Sequence, residues 1–337
     1  MDSDALQDYI NKRWDGDIMD AMFQFLKIPN KSPGFDHEWQ AHGYMQAAMQ
    51  VVVNWCQQQP IKQMELEVIQ LPNRTPLLLI DIGGQIDDSV ILYGHIDKQP
   101  EATGWDPDLG PWQPVLKDEK LYARGSSDDG YAVFSAVCAI AALQHHNIPH
   151  PRCFIIIEAS EESGSSDLPF YLDDLLSRLI SSSLIIALDA GAGNYTQLWL
   201  TNSLRGAING KLHIEMLREG VHSGVASGIV PSTFRILRQL LKRIEDEDTG
   251  IIKLPELHTD IPKEFIEQAE QTALILENSI INNFPFSQNA HPVSTHLSQL
   301  LLNTTWRPTL EITGIDGIPN VENGGNVLRP YTTTKLS

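Results

Sequence analysis

Apolar positions recur along this chain with two different periods. Over residues 4–26, Leu6, Ile10, Trp14, Ile18 and Met22 fall four apart, which predicts a helix with one buried face. Residues 38–58 carry Ala, Met and Val on one side and predict a second helix. Shorter apolar or alternating runs at 65–71, 77–82 and 90–93 predict strands. Residues 98–119, rich in Pro, Gly, Trp and Asp, read as a long ordered loop.

From residue 130 the two patterns alternate. Small apolar residues at 130–143 predict a buried helix, 153–158 a strand, 168–179 an amphipathic helix and 184–188 another strand. Helices alternating with apolar strands imply an α/β fold, with a mostly parallel sheet flanked by helices. After residue 204 the pattern changes. Residues 208–216 alternate like a half-exposed strand, and 220–228 form a loop rich in Gly and Ser. Helices are predicted at 231–244, with Pro231 at the start, and at 262–277, and a strand at 309–312. The expected organisation is therefore a larger domain, 1–204, and a smaller α+β domain, 205–337. No internal repeat stands out.

Composition narrows the function classes. The 24 Lys and Arg against 43 Asp and Glu give a net charge of −19 in 337 residues. Such a surface disfavours nucleic acid and anionic membrane, which reward basic patches. Asp2-Ser3-Asp4-Ala5 is acidic and offers no apolar signal core, and no apolar stretch is long enough to span a bilayer. Cys56, Cys138 and Cys153 sit apart in apolar surroundings and read as buried free thiols. The expected compartment is the cytoplasm. Three glycosylation sequons, at Asn73, Asn194 and Asn303, are read as chance matches.

The candidate chemistry is acidic and sits at strand ends. Gly94-His95-Ile96-Asp97 closes one strand, and side chains two apart share a face. His95 is a candidate metal ligand, with Asp97 holding its other nitrogen. Arg124-Gly125-Ser126-Ser127-Asp128-Asp129 precedes a helix. Asp128 is assigned as a carboxylate bridging two ions about 3.5–4 Å apart, and Asp129 as the helix cap. Glu161 and Glu162 end a buried strand, where two neighbouring carboxylates repel unless a cation intervenes. Glu162 is assigned as a ligand and Glu161 as the general base. Asp189 ends the next strand and is assigned as a ligand. In open sheets of this kind, ligands gather beyond the carboxyl ends of the strands. His222 reads on composition as a loop histidine, and His145, His146 and His150 as a solvated face.

These motifs in this order, together with Gly104-Trp105-Asp106-Pro107, resemble the aminoacylase/carnosinase family of di-zinc metallopeptidases. The resemblance implies His95 and Asp189 on separate zinc ions, Asp128 bridging, Glu162 on one ion and Glu161 as base. It implies a homodimer formed through a lid domain, with His222 steadying the substrate carbonyl in the partner's site. Two features depart from the family pattern. Gly130-Tyr131 follows the acidic pair where a lysine is usual, and no histidine follows His296 to supply a fifth ligand. The expectation is therefore a member lacking its C-terminal catalytic segment. The expected activity is zinc-dependent hydrolysis of a small peptide, like that of a dipeptidase or carboxypeptidase, with Mn2+ or Co2+ as other candidate ions. Alternatives are an N-acyl-amino-acid deacylase and an inactive dimerising relative.

Overall fold

The first helical stretch begins at Asp2, whose carboxylate caps the amides of Asp4 and Ala5, both at 3.2 Å. In this computed structural model, which describes residues 2–179, 181–201 and 203–337, the stretch is not one straight helix. It divides into α1 (Ser3–Arg13), a π turn (Trp14–Ile18) bent at Gly16, and α2 (Met19–Leu26). Asp17 explains the bend, because Arg13 and Trp55 Nε1 both hold its carboxylate at 2.8 Å. The second expected helix is also split. The short α3 (Trp39–His42) ends at Gly43, whose φ of +70° suits glycine, and α4 (Tyr44–Gln57) starts afresh.

The sheet comprises β1 (Met64–Ile69), β2 (Leu77–Ile82) and β3 (Ile86–His95). The hairpin β4 (Val115–Lys117) and β5 (Lys120–Tyr122) follows from a segment expected to be loop up to residue 119. Then come α5 (Ala132–His145), β6 (Pro151–Glu158), α6 (Leu168–Leu179) and β7 (Leu184–Ala187). The strand order is β1-β2-β6-β3-β7. β6 pairs in parallel with β3, and β3 with β7. β2 is antiparallel to both its neighbours, so the sheet is mixed, with only β2 reversed. The α/β class stands.

Alternation explains why β2 and β6 are apolar throughout. Leu78, Ile80, Ile155 and Ile157 face one layer with Phe25, Met45, Val52 and Phe134. Leu77, Leu79, Phe154 and Ile156 face the other, with Tyr171, Leu175 and Leu179 of α6. A strand covered on both faces needs no polar side. β7 lies at the sheet edge, and its Leu184 and Ile185 remain 51% and 65% exposed.

The chain divides into two compact units, 1–191 and 192–337, against an expected boundary at 204/205. In the second unit, β8 (Gly210–Glu215) is followed by β9 (Val221–His222), α7 (Ser223–Ala226) and α8 (Thr233–Ile244). Next come α9 (Lys263–Leu276), α10 (Ser279–Asn282) and α11 (Leu297–Thr305). The unit closes with β10 (Ile312–Asp316), β11 (Val327–Leu328) and β12 (Tyr331–Leu336). β12 runs antiparallel between β10 and β8, and β11 pairs with β9. β10 starts later than expected. The amides of Trp306 and Arg307 stay bound to Leu302 O at 3.0 Å, and paired extension begins at Glu311 against Ser337. Cys56, Cys138 and Cys153 are free and buried. No helix among the described residues is long and apolar enough to cross a membrane.

Phe134, fully buried on α5 and edge-on to Trp55 at 4.8 Å, anchors the first layer. Phe134→Ala should cost about 3–5 kcal/mol, the usual loss for a buried aromatic. Urea unfolding followed by tryptophan fluorescence measures it, and a loss under about 1 kcal/mol would contradict this packing.

Candidate metal centre

Strand register brings the acidic residues to one end of the sheet. His95 pairs with Glu158 across the parallel β3–β6 ladder, so both strands finish level. The loop after β3 carries Asp97, the loop after β6 carries Glu161 and Glu162, and the loop after β7 carries Asp189. Asp128 and Asp129 arrive from the turn before α5. A Cβ at Gly94 would lie 2.7 Å from Asp129 Oδ2, so glycine there allows this turn to close on the strand.

His95 is the centre of the group. Its side chain is fully buried. Nε2 lies 3.2 Å from Asp128 Oδ1, 3.7 Å from Asp189 Oδ2 and 3.8 Å from Glu161 Oε2. His95, Asp128 and Asp189 can each turn one donor atom toward a common point, the three atoms lying within 4.8 Å of one another. His95 and Asp189 therefore surround one position, whereas the resemblance put them on separate ions. Nε2 is buried and makes no hydrogen bond of good geometry. An imidazole nitrogen so placed among three carboxylates fits a divalent cation.

Asp97 does more than orient the imidazole. His95 Nδ1 is 3.0 Å from the Asp97 carbonyl oxygen and 3.4 Å from its carboxylate. The carbonyl is thus the closer acceptor for the Nδ1 proton. The carboxylate, itself fully buried, accepts the consecutive amides of Glu161 and Glu162 at 3.1 and 3.0 Å. One side chain thereby aims both glutamates. Glu162 has one oxygen held by Gln99 Nε2, while its other oxygen is buried without a partner. It lies outside the three-residue group around His95.

Asp129 departs from its expected role. Its side chain does not cap α5. Oδ2 accepts the His95 amide at 3.1 Å instead, tying the turn to the strand. Burial pushes its carboxyl up to about 8. Gly130 also has a steric reason: a Cβ there would strike Gly125 O and come 2.7 Å from Phe25 Cε1, which leaves no room for a lysine.

Sequence reasoning missed Glu158, Gln99 and Lys98. Glu158 is buried and accepts from Tyr93 Oη at 2.6 Å, Ser165 Oγ at 2.8 Å and Ser160 Oγ at 3.1 Å. Those serines flank the Glu161–Ser163 turn, so Glu158 fixes its two ends. The available signal was an acid closing an apolar strand, the argument already applied to Glu161 and Asp189.

His222 belongs to the second unit, where it ends β9 and is exposed. Its Nδ1 accepts the Gly224 amide at 3.1 Å, which leaves the ring proton on Nε2. His150 is buried, not solvated: Nδ1 is 2.7 Å from Pro151 O and Nε2 is 3.1 Å from Gln144 Nε2.

Electrostatics reflect the crowding of anions. Burial alone would lower His95, yet the carboxylates of Asp128 and Asp97 more than offset it and raise the imidazole to about 11. The close approach of the His95 imidazole, 3.2 Å away, in turn lowers Asp128. Burial pushes Glu161 up to about 7, aided by the negative charges of Asp189, Glu162 and Asp97 and opposed by His95. Glu162 is also raised, chiefly by burial. Without a bound cation, these carboxylates would favour the protonated imidazole of His95 at neutral pH.

The sequence model for peptidase family M20/M25/M40 matches residues 91–300. The mouse Beta-Ala-His dipeptidase is 30% identical over 257 residues, covering 72% of this chain and 49% of that protein. The Cys-Gly metallodipeptidase DUG1 of Candida albicans is 27% identical over 263 residues, covering 74% and 51%. The chain thus spans about half the length of the curated relatives it matches. Among solved structures, the di-peptidase Dug1p of Saccharomyces cerevisiae superposes with a TM-score of 0.75 at 20% identity, covering 98% of this chain and 71% of that one. Human carnosine dipeptidase 1 gives a TM-score of 0.70 at 21% identity, covering 99% and 71%.

A ligating imidazole must be neutral, so a cation binding here has to displace the His95 proton. Zinc titrated at pH 7 in buffers of different ionisation enthalpy should release at least about one proton per ion bound at this centre. His95→Ala should bind more weakly and lose that release. Unchanged proton release in the variant would remove His95 from the ligand set.

Proposed function

The chain belongs to peptidase family M20/M25/M40, and from that premise we propose that it is a metal-dependent hydrolase of small peptides, with the chemistry of a dipeptidase. The observation that carries the reading is the buried His95 Nε2, which has no hydrogen-bond partner and faces the carboxylates of Asp128, Asp189 and Glu161. His95, Asp128 and Asp189 would hold one divalent ion, zinc being our assignment. Asp128 and Glu162 would hold a second. Bound there, such ions polarise a carbonyl and make a coordinated water acidic near neutral pH.

The chain's own groups do the rest. Glu161 serves as general base. Its raised pKa places it close to neutrality, where a carboxylate takes and returns a proton with least mismatch. It would accept the proton of the attacking water and deliver it to the leaving amine. Asp97 keeps the carboxylate within reach by holding the Glu161 amide. His222 carries its proton on Nε2 and suits donation to a substrate carbonyl oxygen. We assign it to a second copy's site, in a homodimer formed through the second unit. The dipeptide class follows the printed names of the relatives, the Beta-Ala-His dipeptidase and the Cys-Gly metallodipeptidase.

Glu161→Gln should reduce dipeptide turnover by roughly 10²–10⁴-fold while zinc content holds. Glu162→Gln and Asp128→Ala should lose zinc by elemental analysis. The reverse behaviour of the two glutamate variants would exchange their roles. Because Glu161 acts when ionised, the rate should fall as pH drops through about 7, an inflection that bound cations move lower. A rate independent of pH between 5 and 8 would count against this base.

His222 has its own test. Mixed with Glu161→Gln, the inactive His222→Ala protein should regain part of the activity, because one site of the heterodimer then has both residues. No recovery among confirmed heterodimers would remove His222 from the partner's site.

A further inference from the structure

Among the described residues, Lys98 is the one lysine in the group of large, fully buried side chains, and its relative exposure is 0%. Among the described residues its Nζ meets no carboxylate. It donates to Phe25 O at 3.0 Å and to Ile28 O at 2.9 Å, and it lies 4.1 Å from the centre of the Phe25 ring. Those carbonyls belong to the end of α2 and to Ile28 just beyond it, where the helix dipole favours a positive group, and Phe25 O accepts the Ile28 amide at 3.1 Å as well. Burial holds the ammonium well below the ordinary lysine range. A cation kept inside at that cost calls for an explanation beyond filling space.

The stem of Lys98 is gripped as firmly as its head. A Cβ at Gly125 would come within 2.8 Å of Lys98 Cε and 2.9 Å of Cγ, and Gly125 has a φ of +81°. The turn that presents Asp128 therefore wraps directly over the lysine stem. Beyond Ile28 the chain runs back across the centre. Asn30 Nδ2 donates to Ile96 O at 2.7 Å, and Ser32 N to Lys98 O at 3.0 Å. Ser32 Oγ is 2.5 Å from Ser163 Oγ, and Gly34 N is 2.7 Å from the same oxygen. Three segments meet through this one residue: the loop with Asp97, the turn with Asp128, and the 28–34 strap that touches the Glu161–Ser163 turn.

We propose that Lys98 is a positioning residue, which locks the end of α2 onto the Gly125 turn and so sets the spacing of the metal-holding carboxylates. The proposal rests on the metal-hydrolase reading of the site. The effect is mechanical, because the perturbation of Lys98 comes from burial and not from a neighbouring charge.

The test uses the full chain with Lys98→Met, Lys98→Arg and, as a control, Asp128→Ala. Zinc affinity is measured by calorimetry, the visible spectrum of the cobalt-loaded protein is recorded, and urea unfolding is followed in parallel. Lys98→Met should bind zinc about 10–100-fold more weakly, the usual loss when a support of the ligands is removed, and should show an altered cobalt spectrum. Lys98→Arg keeps donors for both carbonyls and should recover part of the affinity. A purely structural lysine would lower the unfolding midpoint of Lys98→Met and leave affinity and cobalt spectrum unchanged, which would overturn the proposal. If Lys98→Met does not fold, Lys98→Gln keeps amide donors and carries the same readouts. Wild-type protein that binds no zinc, or Asp128→Ala that binds as wild type does, overturns the site reading itself. Wild-type binding matched by every Lys98 variant overturns only the role of Lys98.

Discussion

Everything at the end of this sheet is arranged around one electrostatic difficulty. Several carboxylates are drawn together, partly out of water, about a buried imidazole. Like charges at this spacing raise one another, and burial raises them further, as Glu161 and Asp129 illustrate. Alone, the group would be expelled to the surface. It stays because backbone amides, hydroxyls and one histidine proton each neutralise a share. Asp97 is satisfied by two amides, Glu158 by three hydroxyls, and Asp128 by His95.

Much of this was legible in the sequence, for a definite reason. An acid at the end of an apolar run is costly unless the fold needs it, so Glu161, Glu162 and Asp189 stood out, while His95 closed a strand with Asp97 two positions on. Most of the elements around them followed from periodicity, with β2 predicted residue for residue and the β4–β5 hairpin missed. What periodicity could not supply was direction. An apolar strand buried on both faces looks the same whether it runs parallel or antiparallel, so the reversal of β2 was hidden. Breaks such as the one at Gly43 were also invisible, because a glycine inside a helical pattern can be tolerated or can end the helix.

The site partners that escaped notice were those defined by three-dimensional contact. Gln99 and Lys98 follow the His95 segment directly, yet nothing in a Lys-Gln-Pro run separates a solvated lysine from a buried one. Only the Phe25 ring, the carbonyls of α2 and the Gly125 turn make that distinction. The same holds for Asp129. As one of an acidic pair before a helix it reads as a cap, but the close approach permitted at Gly94 turns it to the strand.

The donors around His95 come from distant points of the chain, at residues 95, 128 and 189. No fragment of the first unit holds more than part of the set until β3, β6 and β7 lie side by side. A cation shared among them would therefore act as a removable cross-link. It would favour the assembled sheet over every open form by its own binding free energy, growing with the logarithm of free metal concentration. Metal supply would then govern how long the folded chain persists. A cell short of the ion would then hold less of the folded protein.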